Sequence, residues 1–223
     1  METKKNDFII SADLAQVNDY CALTIFERIE SEEPINEWES RREYHLRHIE
    51  RPERGTTYPK IVDRLKELAE SSSLAENRKF IAIDVTGVGR PVWDLMIDSG
   101  LNRESTLIGI QITGGNNVTR SGYIYNVPKR DLISALQVAF QNGQLKIAKG
   151  LPDADMLVRE LTNFKVKINL NGHDQYEAWR EGIHDDIVLS AAMGIWLGTY
   201  FHTEREKRLL NARRRKRREG RRI

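Results

Sequence analysis

The stretch Phe8–Asp13 reads FIISAD, a mostly apolar run that ends in an aspartate. The same pattern returns at Phe80–Asp84, which reads FIAID. Short apolar runs bounded by polar turns are typical of buried strands, and open α/β sheets bind their ligands outside the carboxyl ends of such strands. The two stretches therefore predict two strands of one sheet, each carrying an acid to the edge where a site forms.

The segments around these strands predict the rest of the sheet and its helices. Further strands are predicted at Tyr20–Ile29, Glu43–Ile49 and Thr106–Thr113, so the chain opens with three strands in hairpin order. Gly114–Asn117 and Ser121–Gly122 are typical of turns in a loop or hairpin. Helices are predicted at Tyr58–Ala69, near Pro91, at Asp131–Phe140, at Ala154–Leu161, and from Ile183 onward. Strands that cluster first and then alternate with helices predict one α/β domain, a central mixed sheet flanked by helices.

The composition excludes a membrane protein and a disulfide-stabilised one. Of the 223 residues, 39% are hydrophobic and 30% are charged, and the longest uncharged stretch, Ile187–Phe201, is shorter than the ~20 residues that span a bilayer. The N-terminal residues do not resemble a signal peptide. Cys21 is the only cysteine, which excludes an internal disulfide and a multi-cysteine zinc site. We therefore expect a reducing, intracellular setting.

Charge divides the chain into an acidic body and a basic tail. Residues 204–223 contain 11 Lys/Arg and 3 Glu, a net charge of +8, which leaves −6 on residues 1–203. We therefore expect a domain at 1–203 and a basic C-terminal tail at 204–223. The run Arg213–Arg218 is typical of an arm that binds nucleic acid or another polyanion, and equally of a solvated or disordered terminus.

A third acidic element stands before the most apolar segment of the chain. Asp185 and Asp186 directly precede Ile187–Leu189, which places two acids in the first turn of a buried helix. Acids there complement the helix dipole, and an aspartate after a strand is often only a turn residue. Carboxylates beside apolar runs nevertheless need compensation for desolvation, and a hard cation such as Mg²⁺ or Mn²⁺ supplies it.

The turn after Asp84 contains glycines at 87 and 89. Glycines permit a tight turn and a close approach of the backbone before a helix N-terminus, a position that favours phosphate, although a plain strand-to-helix turn explains them equally well. No Gly-Lys-Ser/Thr sequence follows, so this is not a Walker A loop.

These motifs together resemble the nuclease domain of the large terminase subunit of tailed bacteriophages. The resemblance depends on Ile10–Asp13 (ISAD), Ile83–Gly89 (IDVTGVG) and His184–Val188 (HDDIV), with a weaker match at Tyr125–Leu132. It extends over about residues 7–203 and implies a ribonuclease-H-like fold. The chain lacks a Walker A or B pattern, so the ATPase half of a full terminase is missing from it.

The resemblance also implies which residues form the site. Asp13, Asp84 and Asp186 correspond to metal-binding catalytic acids, with Asp185 as an additional ligand. Asp13 is expected to bridge two ions because the acid of the first strand is central in this family. Asp19 receives no catalytic role, because the glycine that precedes the corresponding acid in many relatives is absent. His184 and Lys129 are left out of the catalytic set, since a capping histidine and a solvated lysine explain them.

The function implied is two-metal hydrolysis of double-stranded DNA by an endonuclease, with Mg²⁺ or Mn²⁺, during viral genome packaging. Partners expected from the resemblance are duplex DNA, a terminase ATPase domain, a small terminase subunit and the portal, in the cytoplasm of an infected bacterial host. The alternatives are a Holliday-junction resolvase, another ribonuclease-H-like nuclease that cuts RNA–DNA hybrids, or a DNA-binding packaging module without catalysis.

Overall fold

Eight strands form a mixed sheet in the computed structural model, which describes residues 6–14, 20–36, 39–87, 89–170 and 186–201. The strands are β1 (Asp7–Asp13), β2 (Ala22–Asn36), β3 (Glu39–Glu50), β4 (Arg78–Asp84), β5 (Thr106–Thr113), β6 (Thr119–Ser121), β7 (Ile124–Pro128) and β8 (Leu145–Ile147). Their order across the sheet is β6-β7-β5-β4-β1-β2-β3-β8. The first three strands are antiparallel neighbours, as predicted, while β4, β5 and β7 continue the sheet parallel to β1.

Five helical segments cover this sheet in the described part of the chain. They are α1 (Tyr58–Ala69), α2 (Gly89–Asp98), α3 (Lys129–Gln141), α4 (Ala154–Leu170), and helical residues 186–201, which we call α5. None of the helices among the described residues is long and apolar enough to cross a membrane. The helices predicted at Tyr58–Ala69, near Pro91, at Asp131–Phe140 and at Ala154–Leu161 are confirmed. The helix predicted from Ile183 onward is confirmed at 186–201, while residues 183–185 lie outside the described ranges.

Several details differ from the sequence prediction, since β2 and β3 are longer than predicted and β6 and β7 were not predicted. Helix α4 continues nine residues beyond Leu161, since it ends at Leu170. The hydroxyl of Thr162 donates to the carbonyl of Val158, which satisfies this weak helix former inside the helix. Strand β8 was not predicted because its three residues are too short to show a period; it pairs parallel to β3 at the edge of the sheet.

The sheet has a hydrophobic core on each face. One face packs against α3, α4 and α5, and the other packs against α1 and α2. In β1 the side chain of Ile9 belongs to the first core, whereas Ile10 and Ala12 belong to the second. A strand buried on both faces needs apolar residues at consecutive positions, which explains why β1 is an unbroken run rather than an alternating one.

Helix α5 lies close against β1 because its contact residues are small. Ser190, Gly194 and Gly198 recur every four residues and therefore share one side of the helix. A Cβ atom on Gly194 would lie 2.7 Å from Oγ of Ser11, and one on Gly198 would lie 2.6 Å from Cδ1 of Ile9. Since the order of contacts is reversed, α5 runs antiparallel to β1 and its first described residues lie at the carboxyl end of that strand.

Candidate active site

Asp13 and Asp84 are the last residues of two neighbouring parallel strands, β1 and β4. The register pairs Ala12 with Ile83, so the two aspartates follow side by side at the same edge of the sheet. Both residues are buried, with 7% and 6% of their surfaces exposed. The structure thus brings together the two acids that the sequence placed at strand ends.

The turn after β4 fixes the carboxylate of Asp84. The backbone N–H of Thr86 donates to Oδ1 of Asp84 at 2.7 Å, and Oγ1 of Thr86 accepts from the backbone N–H of Ile112 at 2.7 Å. Gly87 has φ +78°, a left-handed conformation that favours glycine and turns the chain toward α2. The predicted strand-to-helix turn is confirmed, and its geometry serves to orient an acid.

The two carboxyl groups share a hydrogen bond. Burial raises the pKa of Asp84 above its ordinary value, although hydrogen bonds from Thr86, the contact with Asp13 and the charge of Lys129 each oppose that increase. A hydrogen bond between two carboxyl groups needs one proton, because two ionised oxygens repel each other. The two acids therefore lie where a bound cation would neutralise both groups.

The packing of α5 on β1 brings Asp186 to the same edge of the sheet. Ser190, one turn after Asp186, donates its hydroxyl to the carbonyl of Ser11 at 2.9 Å and contacts Oγ1 of Thr24 at 2.9 Å. Ser11 in turn lies two residues before Asp13. Four helical residues span about 6 Å and two strand residues about 6.6 Å. The matched lengths place Asp186, which is 8% exposed, at the Asp13 end of β1.

The carboxylate of Asp186 pairs with an arginine. Oδ2 of Asp186 lies 3.2 Å from Nη2 of Arg51, which follows β3 directly. Among the described residues, no group of three or more His, Cys, Asp or Glu side chains is arranged to hold a metal ion. The structure therefore joins Asp13 to Asp84, while Asp186 approaches the same edge with a guanidinium as its counter-charge.

Several residues that the sequence singled out lie outside the described ranges. They are Asp19, His184, Asp185 and the tail at 204–223, so their predictions stand as predictions. Lys129, which we had left out of the catalytic set as a solvated residue, lies close enough to Asp84 for its charge to lower the pKa of that acid. The prediction that Lys129 is only solvated is thereby weakened.

Comparison with known proteins decides the family. The family model described as Terminase RNaseH-like domain matches residues 10–195. The chain belongs to this family. The range covers Ile10–Asp13 of β1, all of β4 and most of α5, and thus Asp13, Asp84 and Asp186 of this terminase RNaseH-like domain.

Solved structures confirm the fold of this terminase domain. The large terminase nuclease of thermophilic phage G20c is 18% identical, with a TM-score of 0.52 over 86% of this chain and 82% of that one. The terminase nuclease domain of human cytomegalovirus is 11% identical, with a TM-score of 0.54 over 86% and 83%. The comparison with curated protein sequences finds no match. The predicted ribonuclease-H-like fold is confirmed.

Two residues at the site of this terminase domain were missed from sequence. The end of β3 lies beside the start of β2, because Glu50 is opposite Leu23 and Ala22 is opposite Asp13. Arg51 follows Glu50 and therefore lies at the acid edge, the edge of the sheet that carries Asp13. The hairpin order of the strands contains that information. Glu160, on α4, accepts a hydrogen bond from the backbone N–H of Val188 at 3.1 Å and so contacts the first described turn of α5. No local pattern reveals this contact across 28 residues.

Proposed function

We propose that this chain is a metal-dependent endonuclease that cuts double-stranded DNA during viral genome packaging. The proposal is supported by membership of the terminase RNaseH-like domain family, over residues 10–195. The fold of two terminase nucleases, one from a phage and one from a herpesvirus, supports it further. Asp13, Asp84 and Asp186 are the proposed catalytic acids, with Asp185 as an additional metal ligand.

The observation that carries the proposal is the hydrogen-bonded pair of Asp13 and Asp84. Two buried carboxyl groups in contact are unfavourable unless a proton or a cation lies between them. Carboxylate oxygens are hard ligands that suit Mg²⁺ or Mn²⁺, so the donor set fits the proposed ions. Asp13, Asp84 and Asp186, with Asp185 as an additional ligand, would hold the ions.

The ions, when bound, would supply an activated water and neutralise charge on the scissile phosphate and on the leaving 3′-oxygen. The protein's own part is to hold its ligands in place. Thr86 fixes the Asp84 carboxylate, and Ser190 seats the helix that carries Asp186. Lys129, whose charge reaches Asp84, would favour the approach of an anionic backbone to an edge rich in acids.

The proposed partners follow from the same assignment. They are duplex DNA, a terminase ATPase domain, a small terminase subunit and the portal, and the proposed place of action is the cytoplasm of an infected bacterial host. The basic tail at 204–223 would contribute attraction to DNA that the body, at −6, does not supply.

Plasmid nicking tests the proposal directly. The purified chain should convert supercoiled plasmid to nicked and linear forms with Mn²⁺ or Mg²⁺ and should do nothing in EDTA, with no requirement for ATP. Comparing plain duplex, a four-way junction and an RNA–DNA hybrid separates this proposal from the two nuclease alternatives. Absence of cleavage with every metal and substrate would favour a non-catalytic packaging module, and ATP-dependent cleavage would also contradict the assignment.

A further inference from the structure

The guanidinium of Arg51 occupies a defined place at the acid edge. Its side chain is only 12% exposed, and Nη2 lies 3.2 Å from Oδ2 of Asp186. Its Cζ atom lies 4.1 Å from the centroid of the Tyr20 ring, and Nη1 contacts Sδ of Met156 on α4. Three groups therefore hold this cation: the ring of Tyr20, Met156 on α4 and the carboxylate of Asp186 on α5.

The strand before Arg51 is itself anchored. Glu50, the last residue of β3, accepts hydrogen bonds from the guanidinium of Arg64 on α1 at 2.8–3.0 Å and from Nε2 of His48 at 3.0 Å. Burial alone would raise the pKa of Glu50, but these bonds outweigh burial and the pKa is lowered. The chain that leads into Arg51 is thus anchored through the side chain of Glu50.

A second guanidinium packs on the same ring. Cζ of Arg54 also lies 4.1 Å from the centroid of Tyr20. Two cations therefore lie beside one ring, where they repel each other. Planar guanidinium groups match the oxygens of a phosphodiester as well as they match a carboxylate. The pair of arginines is consequently suited to an extended polyanion.

We propose that Arg51 is the counter-ion of Asp186 in the metal-free domain and a contact to a DNA backbone phosphate once a divalent cation binds Asp186. The inference depends on the proposed function, because it treats Asp186 as a metal ligand. Arg51 and the cation compete for the same carboxylate. When the cation takes that carboxylate, the guanidinium held by Tyr20 requires another anion, and the substrate supplies it.

Mn²⁺ affinity without DNA tests the competition, measured by titration calorimetry on the full chain. Arg51→Gln should bind Mn²⁺ about fivefold more tightly than the unmodified chain, the effect of losing one competing ion pair. Arg51→Lys keeps the charge and should stay near the original affinity. Arg47→Gln, which removes an arginine of β3 paired with Glu27, is the matched control and should change nothing.

DNA affinity in Ca²⁺ across a salt series tests the phosphate contact. Arg51→Gln should lower the magnitude of the slope of log affinity against log salt by about 1, the value for one lost phosphate contact. Unchanged or weaker Mn²⁺ binding in Arg51→Gln would overturn the competition, and an unchanged slope would overturn the phosphate contact. If the unmodified chain and Arg51→Gln both fail to bind Mn²⁺, the proposed metal site itself is wrong. Circular dichroism and melting temperature establish that each variant is folded.

Discussion

The first and last residues of β1 are both buried aspartates, yet their neighbours have opposite charge. Asp7, 4% exposed, forms ion pairs with Arg28 and Arg78, and Arg28 also donates to the carbonyl of Gly198 at 3.1 Å. Asp13, 7% exposed, shares a hydrogen bond with a second acid, Asp84. Burial is therefore the same at the two ends of β1, and the difference lies in the partners: arginines surround Asp7, whereas a second acid adjoins Asp13.

The strongest test of this comparison is cleavage by variants at the two ends of β1. Asp13→Asn, Asp84→Asn and Asp186→Asn should each reduce plasmid nicking at least about a thousandfold, and double substitutions should lose little more, because the acids act as one unit. Asp185→Asn should be milder. Asp7→Asn, assayed below its melting temperature, should cleave within about threefold of the unmodified chain. Full activity in any of the first three variants would remove that residue from the site.

Stability should show the reverse pattern. Asp7→Asn breaks a buried ion pair from one side and leaves the charge of Arg28 without its main partner, so the free energy of unfolding should fall by about 3 kcal/mol in urea. Asp63→Asn, an exposed aspartate on α1, is the control and should stay within about 0.5 kcal/mol. If the free energy of unfolding falls as little in Asp7→Asn as in Asp63→Asn, the two ends of β1 do not differ as the charges beside them predict.

A smaller effect is expected from pH in EDTA. Because the fold raises the pKa of Asp84, the folded chain binds more protons than the unfolded chain between the ordinary and the raised pKa. The free energy of unfolding should therefore decrease as pH rises through that window, and neutral pH should be unfavourable for the acid pair. Asp84→Asn should accordingly melt about 2–4 °C higher than the unmodified chain at pH 7 in EDTA. A lower melting temperature would mean that Asp84 stabilises the fold as Asp7 does.

Removal of the tail should leave the chemical step unchanged. Truncation after His202 deletes the +8 segment but none of the proposed acids. With ~4–6 phosphates contacted by the tail, the slope of log DNA affinity against log salt should become shallower by roughly 4–5 units. Affinity measured across a salt series for both forms checks this. If the slope does not change, the tail is a solvated terminus or serves a protein partner such as the portal.

The acids at strand ends could be predicted from sequence because each follows a contiguous apolar run. Asp13 and Asp84 are the last residues of FIISAD and FIAID, and the rule that ligands bind at the carboxyl ends of strands places both at one edge of the sheet. The register that makes them direct neighbours is a property of strand pairing, which no local pattern contains. Helix α1 was likewise predicted, since its apolar positions repeat with a helical period, and the alternation of Glu43–Ile49 predicted β3.

The compensating charges were harder to predict because they come from distant parts of the chain. Arg51 and Asp186 are 135 residues apart, and Arg28 and Gly198 are 170 apart. Lys129 was set aside as solvated because a lysine before a helix has no local signal for an acid on another strand. A single sequence shows where a charge is buried, but the identity of its partner depends on how the layers pack.

The packing of α5 on β1 makes the proposed site depend on residues that have no chemistry of their own. Gly198 lies 12 residues, or about 18 Å of helix, from Asp186, and its missing side chain sets how deeply the far end of α5 rests on Ile9. An added methyl group at Gly198 would push this end of α5 away from Ile9 and shift the carboxylate of Asp186 at the opposite end. We therefore expect substitutions at the glycines of α5 to inactivate the protein as substitutions at the proposed acids do.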